Sequence, residues 1–157
     1  MKIGIVVYSQ TGNTESVAKK VEAGLKAKGH EVDYLKVELH QKVEGSAPVT
    51  DANFKSMPKI GGYDAYVFGS FVEAFSLNRA MTYYLGQLDN VNAPAACLTT
   101  QGLMAPWMGA NRAQRQMKQI LTGKGAQMLG SANVVWFKED LRQERSQQAV
   151  DTICALF

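Results

Sequence analysis

The chain has 157 residues, of which 46% are hydrophobic and 20% are charged. This length suits one domain with a sizeable core, and we predict a single domain over residues 1–157. No apolar run is long enough to cross a bilayer, so we expect no membrane association. The formal net charge is only +3, and the basic residues are too sparse to predict a nucleic-acid partner.

The cysteines, the histidines and the N-terminus bear on compartment and metal binding. Cys97 and Cys154 lie far apart in apolar segments, which favours buried thiols over a disulfide or a zinc site. Neither His30 nor His40 has a second ligand at a usable spacing, so no metal site is predicted. The first residues form a patterned strand without the layout of a signal peptide. We therefore expect a cytoplasmic protein in a reducing compartment.

Strands and helices alternate along the first half of the chain. The continuous apolar run of residues 2–8 predicts a strand buried on both faces. Apolar residues spaced by four predict a helix over residues 14–28, ending before a glycine. A second strand is predicted over residues 30–37. The polar stretch 38–63 is interpreted as a long connection containing one short helix.

The second half continues the alternation. Predicted strands cover residues 65–69, 95–99 and 132–137, and predicted helices cover residues 77–88, with Ser76 as N-cap, 111–121 and 144–156. Such alternation predicts a parallel sheet with helices on both faces. Ligands of such sheets bind beyond the carboxyl ends of the strands, where the strand order reverses. The loops at these ends, residues 9–14, 70–76 and 99–111, are therefore the candidate site.

The first of these loops is rich in hydrogen-bonding groups. It belongs to the stretch YSQTGNT, residues 8–14, in which four of seven residues carry a hydroxyl. Hydroxyls and backbone N–H groups at a helix N-terminus form a ready phosphate site, and Gly12 permits the tight turn. The lysine of a Walker loop, the GxGxxG fingerprint and the arginine of a cysteine phosphatase are all missing. The competing interpretation is a polar turn with a capping threonine.

The segment SQTGNT after an aliphatic strand resembles the phosphate-binding loop of the flavodoxin family, which holds the phosphate of FMN. The resemblance extends along the whole chain in the order of its elements. The segments GSFVEAFSLNRAM and TTQGLMAPWMGANRAQRQM are similar to a branch of short flavodoxin-like proteins. The resemblance implies a three-layer α/β sandwich with a parallel five-stranded sheet in the order 2-1-3-4-5. It also implies one non-covalently bound FMN as cofactor.

The resemblance assigns cofactor contacts to all three loops and no catalytic residue. The residues implied are Ser9, Gln10, Thr11, Gly12, Asn13 and Thr14 in the first loop, Ser70, Phe71, Val72 and Phe75 in the second, and Thr99, Thr100, Gln101, Gly102 and Trp107 in the third. Phe71, Phe75 and Trp107 offer aromatic rings, each with a packing role as the alternative. Gly102 would allow close approach of the backbone to the polar edge of the flavin.

Two features depart from the flavodoxin pattern. The second loop has no glycine, whereas flavodoxins have a flexible peptide there that bonds to flavin N5, and this weakens the case for one-electron chemistry. Residues 77–138 contain six basic residues and one acidic residue, unlike the acidic surfaces of flavodoxin electron carriers. Arg112 and Arg115 could lie beside the flavin or face solvent. Glu73 could face a substrate or solvent.

Three functions remain open at this stage. The first is an FMN-binding redox protein that carries electrons to a redox partner protein. The second is an NAD(P)H-dependent flavin or quinone reductase with a small-molecule electron acceptor. The third is a non-redox module that binds a phosphate or another anion. Whether the chain is an enzyme is therefore undecided, as is its oligomeric state.

Overall fold

A central sheet with two helices on each face forms the structure, a computed structural model that describes residues 1–157. The strands are β1 (Lys2–Tyr8), β2 (Glu31–Leu39), β3 (Phe54–Ser56), β4 (Ala65–Glu73), β5 (Ser76–Leu77), β6 (Pro94–Gln101) and β7 (Gln127–Val135). The helices are α1 (Asn13–Ala27), α2 (Arg79–Gln87), α3 (Ala110–Gly123) and α4 (Arg142–Cys154). Single 3₁₀ turns occur at Asp51–Asn53, Pro106–Met108 and Glu139–Leu141. None of the helices is long and apolar enough to span a bilayer.

Five parallel strands form the body of the sheet in the order β2-β1-β4-β6-β7. In sequence order these are strands 2-1-3-4-5, so the predicted three-layer α/β fold and strand order are confirmed. Two short strands extend the sheet. The strand β3 pairs antiparallel with β2 at one edge, and β5 pairs antiparallel with the end of β4. The prediction of a long connection with one short helix over residues 38–63 agrees with the 3₁₀ turn at Asp51–Asn53 but missed β3, which is too short to show an alternating pattern.

Each face of the sheet covers its own apolar cluster. The cluster under α2 and α3 includes Phe68, Met81 and Met117. The cluster under α1 and α4 includes Val21 and Ile153. Burial of this apolar surface is the main term that stabilises the fold. The two cysteines are buried in different clusters, as predicted for packed thiols.

Several element boundaries differ from the sequence prediction; for example, β4 continues to Glu73, four residues beyond its predicted end. The helix α2 begins at Arg79 with Asn78 as N-cap, so the prediction of Ser76 in that role was wrong; Ser76 belongs to β5. The last strand begins at Gln127, before the predicted residue 132. It contains a bulge at Leu129, which shifts the register between its two halves. The bulge lies in the part of β7, residues 127–131, that the sequence prediction did not include.

Candidate cofactor cleft

A cleft of about 160 Å³ opens where the carboxyl ends of β1, β4 and β6 meet. Its lining residues are Ser9, Gln10, Thr11, Asn13, Thr14, Phe71, Val72, Thr100, Gln101, Gly102 and Trp136. The sequence analysis named all of these except Trp136. No carboxylate lines the cleft, so its surface is suited to an anionic ligand.

The first loop turns sharply from β1 into α1. Gly12 makes this turn with φ of +90°, and the position where a Cβ would lie has no atom within 4 Å. No side chain caps the N-terminus of α1. The capping threonine of the competing interpretation is therefore not found, and the hydroxyl of Thr14 bonds to that of Thr100. The first backbone N–H groups of α1 therefore lack side-chain partners and can bind an anion.

Ser9 has a buried hydroxyl without a hydrogen-bond partner. Burying a polar group in this way costs about 1–3 kcal/mol, and native structures rarely accept it without a reason. The residue lines the cleft, beside Thr11 and Asn13. This orphaned hydroxyl fits a ligand oxygen, and the donor set of the loop fits the phosphate of FMN.

Two neighbouring threonines join the first loop to the third. The hydroxyl oxygens of Thr14 and Thr100 lie 2.7 Å apart. Both side chains are almost fully buried, at 1% and 2% exposure. Because this hydrogen bond crosses from α1 to the end of β6, it fixes the two loops relative to each other.

The second loop is a β-hairpin, not the open loop that the sequence predicted. Val72 pairs with Leu77 and Glu73 with Ser76. Ala74 and Phe75 occupy the turn, with φ of +47° and +62°. Hairpin turns with two left-handed residues strongly prefer asparagine and glycine, so the prediction missed this one.

Some side chains of the second loop line the cleft and others do not. Phe71 lines the cleft and packs on Tyr8, with ring centroids 5.4 Å apart. Phe75 does not line the cleft; it lies at the hairpin tip with 57% of its surface exposed. Its alternative role as a core residue was therefore wrong. Ser70 is fully buried beneath the loop and donates a hydrogen bond to the carbonyl of Tyr8.

Asn78 holds the base of the hairpin and was missed by the sequence analysis. Its Nδ2 donates to the hydroxyl of Ser70 and to the carbonyl of Phe71, the latter at 3.0 Å. Its Oδ1 accepts a hydrogen bond of 2.8 Å from the backbone N–H of Met81. The residue thus caps α2 and positions the cleft-lining part of β4 at the same time. An asparagine directly before a helical stripe was the available signal.

The side chain of Gln101 holds the third loop through hydrogen bonds to the loop backbone. Its Nε2 donates to the carbonyls of Leu103 and Ala105, both at 2.7 Å. Its Oε1 accepts from the backbone N–H of Ala110, the first residue of α3, at 3.1 Å. The side-chain amide therefore holds the loop, while Gly102 borders the cleft with open space at its Cβ position.

Two other predicted residues of the third loop do not line the cleft. The hydroxyl of Thr99 donates to Asn133 Oδ1 at 2.9 Å, and the side chain is completely buried. Trp107 is 77% exposed. Gly12, in the first loop, also shapes the turn without bordering the cleft.

A close backbone approach locks the second loop to the third. At Gly109, just before α3, φ is +131°. A Cβ there would lie 2.5 Å from Val72 Cγ1 and 3.0 Å from Phe75 Cα. Only glycine has room at this position, and the sequence analysis had proposed Gly102 for a close approach instead.

Trp136 forms a further wall of the cleft. Its backbone N–H donates to the carbonyl of Gln101, at 2.7 Å. The Nε of Arg142 donates to the Trp136 carbonyl, also at 2.7 Å, and its guanidinium lies 5.4 Å from the ring centroid. Arg145 binds the carbonyls of Val135 and Phe137. The positively charged side chains of Arg142 and Arg145 therefore hold the backbone around Trp136, although neither arginine belongs to one of the three loops predicted to form the site.

Glu73 of the second loop and Tyr8 at the end of β1 do not line the cleft. The Glu73 carboxylate accepts a hydrogen bond from the backbone N–H of Arg79 at 3.3 Å. Burial raises the pKa of Tyr8, and the negative charge of Glu73 raises it further. Arg112 and Arg115 are exposed and do not line the cleft.

Comparison with known proteins supports the same architecture. The family model described as flavodoxin matches residues 5–53, which include the first loop and α1. A flavodoxin from Streptococcus pneumonia TIGR4 matches with a TM-score of 0.66, 19% identity and 100% of each chain covered. Flavodoxin 2 from Bacillus cereus matches with a TM-score of 0.64, 20% identity and 100% of each chain covered. A flavodoxin from the domain Archaea matches with a TM-score of 0.64, 15% identity and 99% of each chain covered.

No curated protein matches the sequence significantly. These three structures share at most one residue in five with this chain, and at that level they show the fold. The chain therefore has a flavodoxin-like fold, and the flavodoxin family model matches its first loop and the elements around it.

Proposed function

We propose that the chain binds one FMN non-covalently in the cleft and transfers electrons through it. The observation that carries this proposal is the buried, unpartnered hydroxyl of Ser9 beside an uncapped helix N-terminus. Both face a cleft that three loops build at the carboxyl edge of a parallel sheet. That edge is where such sheets bind nucleotides.

The cleft residues divide into two groups with different roles. Ser9, Thr11 and the first N–H groups of α1 would bind the phosphate, since neutral donors and the helix dipole stabilise an anion. Phe71 and Trp136 supply aromatic surface, and Gly102 leaves the backbone accessible. The flavin, when bound, supplies the redox chemistry, and the protein sets its position and surroundings.

The electron-transfer function can be tested with the FMN-loaded protein. It should be reduced by dithionite without oxygen and should then pass its electrons to cytochrome c, a protein acceptor. The visible absorbance of flavin and haem would follow both steps. Loaded protein that cytochrome c and soluble acceptors such as ferricyanide fail to reoxidise would contradict electron transfer while leaving cofactor binding intact.

A second candidate function, NAD(P)H-dependent flavin or quinone reduction, is favoured by two exposed aromatic residues. Phe75 and Trp107 lie in the second and third loops, whose neighbouring residues line the cleft. Exposed aromatic rings can stack a planar substrate. Steady oxidation of NADPH or NADH with a quinone acceptor would favour this function over a carrier.

A third candidate, a non-redox anion-binding module, uses the same first loop. It would purify colourless and would ignore added FMN, yet it would bind inorganic phosphate or a simple phosphate ester. Binding of FMN with an affinity no better than that of inorganic phosphate would favour this candidate.

A further inference from the structure

One face of α3 carries positive charge without compensation. Arg112, Arg115 and Lys118 are all exposed, and we call them the basic α3 surface. None of them forms a salt bridge, and α3 contains no acidic residue. Four of the 17 lysines and arginines form salt bridges, as where Glu22 bonds both Lys19 and Lys26 at 2.8 Å, and the three on α3 differ in sharing one helix that has no carboxylate.

This charge pattern opposes the normal preference of a helix. The N-terminus of a helix carries partial positive charge, so a cation in the first turn costs about 0.3–1 kcal/mol. The helices α1 and α4 follow the rule, with Glu15 and Glu144 in their first turns. The helices α2 and α3 have no acid there, and each has an arginine instead. In α2 the guanidinium of Arg79 donates to two backbone carbonyls, whereas Arg112 of α3 forms no side-chain hydrogen bond or salt bridge. Positions that break a local rule in this way are where a function is expected.

A polar groove runs beside the basic α3 surface. It has a volume of about 340 Å³ and lies between α3 and the edge strand β7. Arg115 and Lys118 line it together with the polar side chains of Asn111, Gln114 and Ser131, and no carboxylate does. Ser131 donates to Gln114 Oε1 at 3.2 Å, which fixes one side. Such a groove fits carboxylate side chains of a partner.

The basic α3 surface adjoins the candidate cofactor cleft. Gly109, the residue just before the helix, is in contact with the hairpin residues Val72 and Phe75. The exposed side chains of Met104 and Trp107 precede it in the third loop. A partner resting on α3 would therefore also meet the apolar rim of the cleft. Apolar centres bordered by charge are typical of protein interfaces.

We propose that the basic α3 surface and this rim dock an acidic protein that exchanges electrons with the chain. The exchange of electrons rests on the proposed function, whereas the docking of an acidic protein does not depend on it. Complementary charge raises the association rate of such partners and makes it depend on salt. An acidic partner fits this surface because the groove is lined by positive and polar side chains and by no carboxylate.

The docking can be tested without any flavin, using poly-L-glutamate as the acidic probe. The variant Arg112→Gln/Arg115→Gln/Lys118→Gln removes the surface. The control Lys20→Gln/Lys55→Gln/Lys59→Gln removes three exposed lysines that lie outside it. We expect the control to bind like the unmodified chain and the α3 variant to lose at least about tenfold in affinity. Equal binding by the two variants would overturn the proposal. So would tighter binding of a single-stranded oligothymidylate than of poly-L-glutamate, which would indicate a nucleic-acid surface.

Electron transfer gives an independent readout on the FMN-loaded protein reduced by dithionite. Two ferricyanide anions would each accept one electron per reduced flavin, whereas hexaammineruthenium(III) is a cationic acceptor. We expect the ferricyanide rate to fall with added salt and the hexaammineruthenium rate to rise. The α3 variant should lose most of this difference and the lysine control should keep it. Identical salt dependence in all three proteins would overturn the proposal. Protein that takes up no FMN would instead contradict the proposed function, and the poly-L-glutamate result would still decide the docking.

Discussion

Thr14 and Thr100 share a hydrogen bond of 2.7 Å between two buried hydroxyls, one at the start of α1 and the other near the end of β6. This bond joins the first and third loops directly behind the cleft. The Thr14 hydroxyl already has a partner in this bond, whereas the buried Ser9 hydroxyl in the same loop has none. The structure thus separates residues that build the cleft from residues that would bind in it.

Removing one of these two hydroxyls should destabilise the fold. In Thr14→Val or Thr100→Val, the other hydroxyl stays buried without a partner, which costs about 1–3 kcal/mol in the free energy of unfolding. The double variant removes both groups, so its loss should be smaller than the sum of the two single losses. Urea unfolding of the four proteins measures this coupling. Strictly additive losses would show that the hydroxyls do not interact.

Replacing Gly109 should disturb the junction of the second and third loops. In Gly109→Ala, the new methyl group would collide with Val72 Cγ1 and the Phe75 backbone at a φ of +131°. We expect a loss of about 1–3 kcal/mol in the free energy of unfolding. The matched control is Gly102→Ala, because the Cβ position of Gly102 has open space. That variant should keep its stability but bind FMN less tightly, since the methyl enters the cleft. Equal stability losses in both would contradict the described packing.

The two tryptophans should differ in their effect on the cofactor. Trp136 lines the cleft, whereas Trp107 is largely exposed. Loss of an aromatic contact costs about 0.5–1.5 kcal/mol, so Trp136→Leu should lower FMN affinity about two- to tenfold. The variant Trp107→Leu should change it less, and it serves as the control. A larger loss with Trp107→Leu would mean that the third loop closes over the flavin and Trp136 does not contact it.

Alkaline pH should destabilise the protein. Burial raises the Cys97 pKa to about 12 from its ordinary 9.0, and the Tyr63 pKa, raised chiefly by burial and by the Asp33 hydrogen bond, is also about 12. The other five of the six tyrosines also have raised pKa values. The unfolded chain loses these protons at lower pH than the folded chain does, so stability is complete below about pH 9 and falls as the pH rises towards 12.

Spectrophotometric titration measures this alkaline transition. Tyrosinate absorbance should remain low until the circular dichroism signal of the fold is lost, and the two changes should coincide. Stepwise ionisation of most tyrosines near pH 10 in a protein that remains folded would contradict the raised pKa values.

The framework of the fold was predictable because its signals are local. The run of residues 2–8 is apolar without a break, as a doubly covered strand requires. Helical spacing and a following glycine marked α1 closely. The stretch YSQTGNT combined a turn glycine with hydroxyls, and ten of the eleven residues that line the cleft were named from the sequence.

The missed features depend on contacts that sequence patterns do not encode. The hairpin turn at Ala74 and Phe75 lacks the glycine or asparagine that normally signals it, and it is held by packing on Gly109. Trp136 was placed inside the predicted strand 132–137, whereas β7 ends at Val135 and Trp136 lies just beyond it, in the lining of the cleft. Arg142, which supports Trp136, reaches the cleft wall only through the tertiary fold.

The most direct test of the phosphate site is calorimetric titration of the apoprotein with FMN and with riboflavin, repeated on Ser9→Ala. Two or more hydrogen bonds to a charged phosphate are worth about 3–6 kcal/mol, so FMN should bind at least about 100-fold more tightly than riboflavin. Ser9→Ala should weaken the binding of FMN but not that of riboflavin. It should not destabilise the apoprotein, because the Ser9 hydroxyl has no hydrogen-bond partner in the protein. Equal affinities for FMN and riboflavin, or no binding of FMN, would contradict the account.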